Sequence, residues 1–346
     1  MTTRRKIEAI DLFCGAGGLT HGLARAGIRV KAGLDIDDAC RYPFEANNRA
    51  KFIGGDIRHA TGSSLAALYS PDAIRLLAGC APCQPFSTLA KGPDKSVRQQ
   101  WRLLEEFARL VRELSPELIT MENVPRVQNH EPYKKFLAEL KRQKYEVAAG
   151  VLRCVRFGVP QDRRRFVLVA SKLGPVTLPQ ETGEVITVSE AIGHLPRVKA
   201  GEVSKSDSLH KARNLSSTNM QRIRASVPGG TWEDWPEELI SACHTRDAGA
   251  SFKSVYARMR WDLPAPTITT QCHNFGTGRF GHPEQDRALT LREAAVLQSF
   301  PDTYQFAAPG NEISFQTVGR LIGNAVPPKL GEAVGKYLKA HVKQYK

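Results

Sequence analysis

Asp11-Leu12-Phe13-Cys14-Gly15-Ala16-Gly17-Gly18 is the stretch that decides the fold. Ile7 to Phe13 has the length and character of a strand, and the glycines of Cys14 to Gly18 after it permit a tight turn with close backbone approach. Leu19 to Ala26 then reads as a helix ending at Gly27, and Ile28 to Leu34 as a second strand with Asp35 at its tip. Strand, glycine turn, helix, strand and acid form the pattern of an adenosine-binding βαβ unit. The carboxylate, 20 residues beyond Gly15, is placed to accept hydrogen bonds from a ribose diol. Thr20 stands where a dinucleotide fingerprint would carry its third glycine, and no lysine follows as in a phosphate-binding loop. The expected fold is therefore α/β, with a turn that admits a nucleoside but no pyrophosphate.

Working outward, Phe52 to Gly55 followed by Asp56 reads as a third short strand, or as an ordinary glycine–acid turn. Ile74 to Ala78 has the character of a buried parallel strand, and Pro82 and Pro85 bracket Cys83 just beyond it. Proline cannot continue a ladder, so the chain leaves the sheet there with Cys83 on a stiff turn at the strand's carboxyl end. Ligands bind at that edge of open α/β sheets, which makes Cys83 a candidate nucleophile, with metal or redox use of Cys80-x-x-Cys83 and inert packing as alternatives. Ser87 to Gln99 is polar and reads as a loop beside it, and Arg98 to Leu114 as an amphipathic helix. Leu118 to Met121 is the next strand, with Glu122 and Asn123 at its tip. Pro132 to Lys144 reads as a helix, and Glu146 to Val155 with Arg165 to Ala170 as an antiparallel pair. Period two places Arg163 and Arg165 on one face of that pair.

The chain has 346 residues, 49 of them basic and 35 acidic, a net charge of +14. Phosphates reward such an excess by releasing counterions, so a nucleic acid is the expected partner. No run approaches the roughly 18 apolar residues of a membrane span, and Glu8 and Asp11 interrupt any signal-like core near the N-terminus. Seven cysteines, odd in number and not densely spaced, fit a reducing compartment. Residues 174–285 are rich in Gly, Pro, Ser, Thr and charge, and read as a smaller irregular domain. Residues 1–173 and 286–346 frame it as the two parts of the α/β domain. Thr187-x-x-Glu190 and Thr290-x-x-Glu293 read as capping boxes, and Leu330 to Val342 as a final helix.

With these pieces in view the chain resembles the cytosine-C5 DNA methyltransferase family. Asp11 to Gly18 is similar to its first motif, Pro82-Cys83-Gln84 to its nucleophile motif and Glu122-Asn123-Val124 to its acid motif. Gln161-Asp162-Arg163-Arg164-Arg165 is similar to its arginine motif. The ninth and tenth motifs have their likeness in Arg292-Glu293-Ala294-Ala295 with Leu297 to Pro301, and in Gly323 to Pro327. The resemblance implies a Rossmann-like S-adenosylmethionine-dependent methyltransferase domain, with residues 174–285 as target-recognition domain and 286–346 as hinge and return. It implies Cys83, Glu122, Asn123, Arg163 and Arg165 as catalytic, and no metal. For the cofactor it implies Phe13, Gly15, Gly17, Gly18, Leu19, Asp35, Ile36, Asp56, Ile57, Pro82, Leu103, Asn324, Ala325 and Val326. Asp35 departs mildly from the glutamate common in the family, yet a carboxylate still suits a ribose.

The implied product is S-adenosylhomocysteine, and the implied partner is duplex DNA read at a short sequence. Gln84 and Ser87 would fill the gap left by a flipped base, and Arg246, Arg258, Arg260, Gln271 and Arg279 are the residues in which to seek DNA contacts. A bacterial or phage-type, cytoplasmic, nucleoid-associated monomer with a separately acting restriction endonuclease completes the expectation. Rival readings are a zinc or redox protein using Cys80-x-x-Cys83 with Cys243-His244 and Cys272-His273, an RNA cytosine methyltransferase, and a non-catalytic DNA-binding relative. No Asp-Pro-Pro-Tyr-like motif supports amino-group methylation.

Overall fold

The computed structural model describes residues 5–82, 95–246 and 253–345, with 95–101 as backbone only. The chain divides into two units. One comprises Met1–Phe157, Arg164–Thr182 and Ala325–Lys346, the other Gly158–Arg163 and Gly183–Asn324.

The first unit holds a seven-stranded sheet made of β1 (Ile7–Leu12), β2 (Arg29–Asp35), β3 (Lys51–Gly54), β4 (Ile74–Gly79), β5 (Leu118–Asn123), β6 (Glu146–Arg153) and β7 (Arg164–Ser171). Their order is β3-β2-β1-β4-β5-β7-β6. The first five strands run parallel, and β7 is inserted antiparallel between β5 and β6. All residues of β1 and β5 are buried, as expected of central parallel strands covered on both faces. The helices are α1 (Gly18–Arg25), α2 (Arg41–Asn47), α3 (Gly62–Ala66), α4 (Lys95–Leu114) and α5 (Glu131–Arg142). One core joins Leu104, Phe107 and Val111 of α4 and Phe136 and Leu140 of α5 to Leu12, Leu77, Met121 and Phe166 of the sheet. This is the Rossmann-like α/β architecture that the glycine turn predicts.

Register decides what meets at the carboxyl edge. Leu12 pairs with Leu34 and with Gly79, and Gly79 pairs with Met121, so the turns after β1, β2, β4 and β5 emerge at one level. Because β7 runs the other way, with Asn123 opposite Phe166, its amino end brings Arg165 to that same edge. Helix α4 starts before the expected Arg98. Lys95 to Gln99 is helical rather than loop.

The second unit contains α6 (Val188–Ile192), α7 (Ser217–Ala225), α8 (Leu291–Leu297) and α9 (Phe315–Asn324), and its described β pairing is confined to isolated bridges. Both expected capping boxes form, at Thr187/Glu190 and Thr290/Glu293. The unit runs on to Asn324 rather than ending near 285. Gln161 donates to the Leu297 carbonyl and Gln298, and Arg163 donates to the Gly323 carbonyl, which ties α8 and α9 into it. The last helix, α10 (Pro328–Gln344), belongs to the first unit and packs on α1. No helix among the described residues is long and apolar enough to cross a membrane.

Arg287 is the polar centre of the second unit. It is fully buried and donates from Nη1 and Nη2 to both oxygens of Glu293 at 2.7 Å, and from Nε to the Val198 carbonyl at 2.9 Å. Burial alone would raise the Glu293 carboxyl, but the Arg287 charge and hydrogen bonds hold it well below its ordinary 4.5. A carboxyl depressed in the folded state stabilises fully above its unfolded value, and that support drains away as pH falls below about 4.5. Arg287→Met leaves Glu293 buried without its counter-charge, and is expected to lose about 3–5 kcal/mol. Urea unfolding followed through Trp232, Trp235 and Trp261 measures this, and Arg287→Met with Glu293→Leu should recover most of the loss.

Candidate active site

The β1–α1 turn is wound through three left-handed positions, Phe13 (φ 58°), Gly15 (φ 53°) and Gly17 (φ 88°). Glycine tolerates that region freely, whereas Phe13 is a strained residue at the mouth of the site. Asp35 clamps the turn to β2. Its Oδ2 accepts from the Gly15 N–H at 2.8 Å and its Oδ1 from the Asp37 N–H at 3.0 Å. Burial raises its carboxyl, and these two bonds offset only part of the effect. The carboxylate has further acceptor capacity for a ligand hydroxyl. Asp11, buried beneath the turn, accepts from Thr20 Oγ1 at 2.7 Å, while its Oδ1 has no hydrogen-bond partner. Burial pushes it up to about 7, aided by the nearby Asp35 charge. Asp11 is not among the expected site residues, although a carboxylate between Ile10 and Leu12 in an apolar strand was the available signal.

In front of the turn lies a cleft of ≈ 450 Å³. Phe13, Leu34, Asp35 and Ile36 line it from β1 and β2, and Gly55, Asp56, Ile57 and Arg58 from the turn after β3. Pro82 lines it from beyond β4, and Arg102, Leu103 and Glu106 from α4. Ile36 is 71% exposed, an apolar side chain held in the open at the cleft. Asp56 is paired by the Arg58 side chain, Nε to Oδ1 at 3.0 Å, which with the Arg58 N–H lowers its carboxyl to about 2. The structure thus brings together Phe13, Asp35, Ile36, Asp56, Ile57, Pro82 and Leu103 of the expected cofactor set. Gly15, Gly17 and Gly18 form the turn behind. Leu19 and Val326 lie instead around a small void of ≈ 10 Å³ beside Glu122. Ala325 is buried, and Asn324 is exposed at the end of α9 in the second unit. Arg58, Arg102 and Glu106 were not anticipated.

Glu122 is buried at the end of β5 with three groups around its carboxyl. Arg165 Nε lies 2.7 Å from Oε1 as an ion pair, at an angle that leaves Oε1 without an aligned hydrogen bond. The Cys80 thiol donates to Oε2 at 2.9 Å. Burial raises the Glu122 carboxyl, against the pull of Arg165 and Cys80 toward the charged form. Asn123 Nδ2 donates to the Ala81 carbonyl at 3.1 Å, and its Oδ1 accepts from the Val124 N–H, so Asn123 pins the segment leading to Pro82. A buried acid with one oxygen free of aligned donors can hold and deliver a proton. Cys83, Gln84 and Ser87 lie outside the described residues.

Arg163 does not join this group. It precedes β7, so the two-residue alternation does not extend to it, and its guanidinium donates to the carbonyls of Ile268 at 2.8 Å and Gly323 at 3.0 Å. Arg258, expected among DNA contacts, is only 5% exposed. It donates to the carbonyls of Ile223, Ser226, His282 and Gln285 and to Asp286. With its donors so used it is an internal cross-link of the second unit. Arg246, Gln271 and Arg279 are exposed, and Arg260 is exposed while paired to Asp262. His244 stacks on Trp232 at 4.6 Å and His273 packs beside Phe315, and the described residues hold no cluster of three potential metal ligands.

A profile of C-5 cytosine-specific DNA methylases matches residues 7–340. Type II methylase M.HgiDII of Herpetosiphon aurantiacus is 50% identical over 336 residues, spanning 95% of this chain and 94% of that protein. Type II methyltransferase M1.HphI of Haemophilus parahaemolyticus is 33% identical over 334 residues, spanning 94% and 85%. Among solved structures, a prophage-encoded E. coli protein described as a DNA modification methyltransferase shares the fold. Its TM-score is 0.71 at 23% identity, over 98% of this chain and 100% of that one. The S. pombe Dnmt2 methyltransferase gives 0.64 at 17% identity, over 98% and 99%. With the profile spanning both ends of the sequence and relatives of this similarity along its length, the chain belongs to the C-5 cytosine-specific DNA methylase family.

Proposed function

We propose that this DNA cytosine-5 methyltransferase uses S-adenosylmethionine to methylate C5 of a cytosine turned out of duplex DNA, through a covalent bond between Cys83 and C6. The observation that carries the proposal is the buried Glu122 carboxyl, with one oxygen free of aligned donors, on the sheet edge that also carries the cleft and Pro82. The cleft suits the cofactor. Its volume falls in the range of small-ligand sites, Asp35 has lone pairs for ribose hydroxyls, and Phe13, Ile36 and Leu103 offer apolar surface to an adenine. When bound there, S-adenosylmethionine supplies an electrophilic methyl and leaves as S-adenosylhomocysteine. The Cys83 thiolate adds to C6, which turns the weakly nucleophilic C5 into the end of an enamine; once C5 is methylated, a base takes the C5 proton and the thiolate leaves C6. Glu122 holds the proton at N3 that draws electrons onto the ring, Arg165 holds the Glu122 carboxyl and the base carbonyl, and Asn123 keeps the Ala81–Pro82 segment in place.

A base in a duplex is out of reach of such a site, so it must be flipped, at a cost of a few kcal/mol. Gln84 and Ser87 are the residues proposed to fill its place. The irregular region 174–285 would read the sequence, with Arg246, Arg260, Gln271 and Arg279 as donors to phosphates or base edges. The net charge of +14 favours that partner. A monomer acting on DNA in the cytoplasm, beside a separate restriction endonuclease of the same specificity, completes the proposal.

The test begins by methylating a random DNA library and locating the modified site by bisulfite sequencing. Duplex carrying 5-fluorocytosine there is then given with the cofactor. Fluorine cannot leave as the C5 proton does, so the expected product is a denaturation-resistant complex whose digest maps to Cys83. Failure to trap, from a preparation that methylates the unfluorinated duplex, would overturn the covalent route.

A further inference from the structure

We propose that Cys80 is a positioning residue of the methyl-transfer site: its thiol, donating to Glu122 Oε2, holds the carboxyl in one plane so that Oε1 is the oxygen turned to the pyrimidine. The inference rests on the acid role proposed for Glu122 and adds the group that aims it. Cys80 is itself held on both sides. Its N–H donates to the Leu12 carbonyl at 3.2 Å, and the carbonyl of the next residue, Ala81, accepts from Asn123. A side chain on so constrained a backbone can fix the direction of its partner. The contact of 2.9 Å is close for a thiol donor, and Arg165 Nε lies 2.7 Å from the other oxygen. With Oε1 against the guanidinium, the sulfur is the partner that fixes the other oxygen and with it the plane of the group. That restraint survives proton transfer. Oε2 accepts the S–H as an oxygen of the carboxylate and, more weakly, as the carbonyl oxygen of an acid protonated on Oε1.

The charged and titratable groups facing Glu122 among the described residues are Arg165 from β7, Cys80 from beyond β4 and Cys154 from the turn after β6. Arg165 and Cys80 favour the charged carboxyl. Losing the thiol donor therefore moves the pH at which Glu122 gives up its proton upward. Serine keeps a donor within hydrogen-bond reach of Oε2, whereas alanine removes it.

The experiment measures kcat against pH at saturating DNA and S-adenosylmethionine for the unchanged enzyme, Cys80→Ala, Cys80→Ser and Glu122→Gln, with melting temperature and cofactor calorimetry as controls of folding. Cys80→Ala should lower kcat about fivefold, the equivalent of one hydrogen bond, and move the alkaline fall of the profile to higher pH. Cys80→Ser should restore both. If Cys80→Ala matches the unchanged enzyme in rate and profile while Glu122→Gln is crippled, the role of Cys80 is refuted and that of Glu122 stands. If alanine and serine are equally slow with an unmoved profile, Cys80 only packs, and the proposal is again refuted. If Glu122→Gln turns over normally, the acid role itself fails and Cys80 has nothing to aim.

Discussion

Cys83→Ala is expected to bring methyl transfer below detection, a loss on the order of 10⁴-fold or more, with S-adenosylmethionine binding nearly unchanged. The size of the effect follows from the chemistry. C5 of an intact cytosine has little nucleophilicity, and no side chain acting by hydrogen bonds alone can lend it enough. Addition at C6 divides one prohibitive step into two accessible ones, and only a nucleophile at that carbon can do so. A free thiol with a pKa of about 8.5 supplies a few per cent thiolate at neutral pH, already a strong nucleophile. Cys80 is no substitute, since its sulfur donates to Glu122. Cofactor affinity should persist because the turn after β1, Asp35 and the Asn123–Ala81 bond are untouched. Incorporation of labelled methyl into DNA, with calorimetry beside it, measures both halves. Turnover within tenfold of the unchanged enzyme would exclude a covalent mechanism through this residue.

What was legible in the sequence was what is local. Gly15 and Gly17 were expected in a tight turn and lie in the left-handed region, and the 20-residue spacing to Asp35 closes as a hydrogen bond from Gly15. Capping boxes and most elements were legible for the same reason, since their signals lie within a few residues of one another. Arginine was where local reasoning failed. Arg163 and Arg165 look alike two residues apart, yet one serves carbonyls of the second unit and the other a carboxylate on the sheet. Arg258 reads as surface charge in sequence, but five donors let a guanidinium go inside wherever enough carbonyls converge. Glu293 was legible as half of a capping box, whereas its bond to Arg287 forms only in the folded unit. The meeting of Cys80, Glu122 and Arg165 depends on β7 entering antiparallel between β5 and β6, and no periodicity within any one strand encodes that order.

Glu122→Gln should retain the fold and lower kcat by about 10²–10⁴-fold, the usual contribution of a positioned proton donor. Glutamine nearly matches the shape of the acid, and its single carbonyl oxygen can accept from Cys80 or face Arg165, so the packing at the end of β5 is kept. It can donate a hydrogen bond to N3 but cannot give up a proton, and the electron flow from C6 to N3 then lacks its sink. The pH dependence separates this from a defect of packing. Burial raises the Glu122 carboxyl, only partly opposed by Arg165 and Cys80, so the protonated form persists to higher pH than an ordinary carboxyl allows. Activity of the unchanged enzyme should therefore be supported below the Glu122 pKa and fall as pH rises through it. In Glu122→Gln the group no longer titrates, and the remaining activity should lose that alkaline fall. Single-turnover rates from pH 5 to 9 at saturating DNA and cofactor provide the measurement. A variant within threefold of the unchanged enzyme, or one that keeps the same alkaline fall, would remove Glu122 from proton transfer and leave it as a structural counter-charge to Arg165.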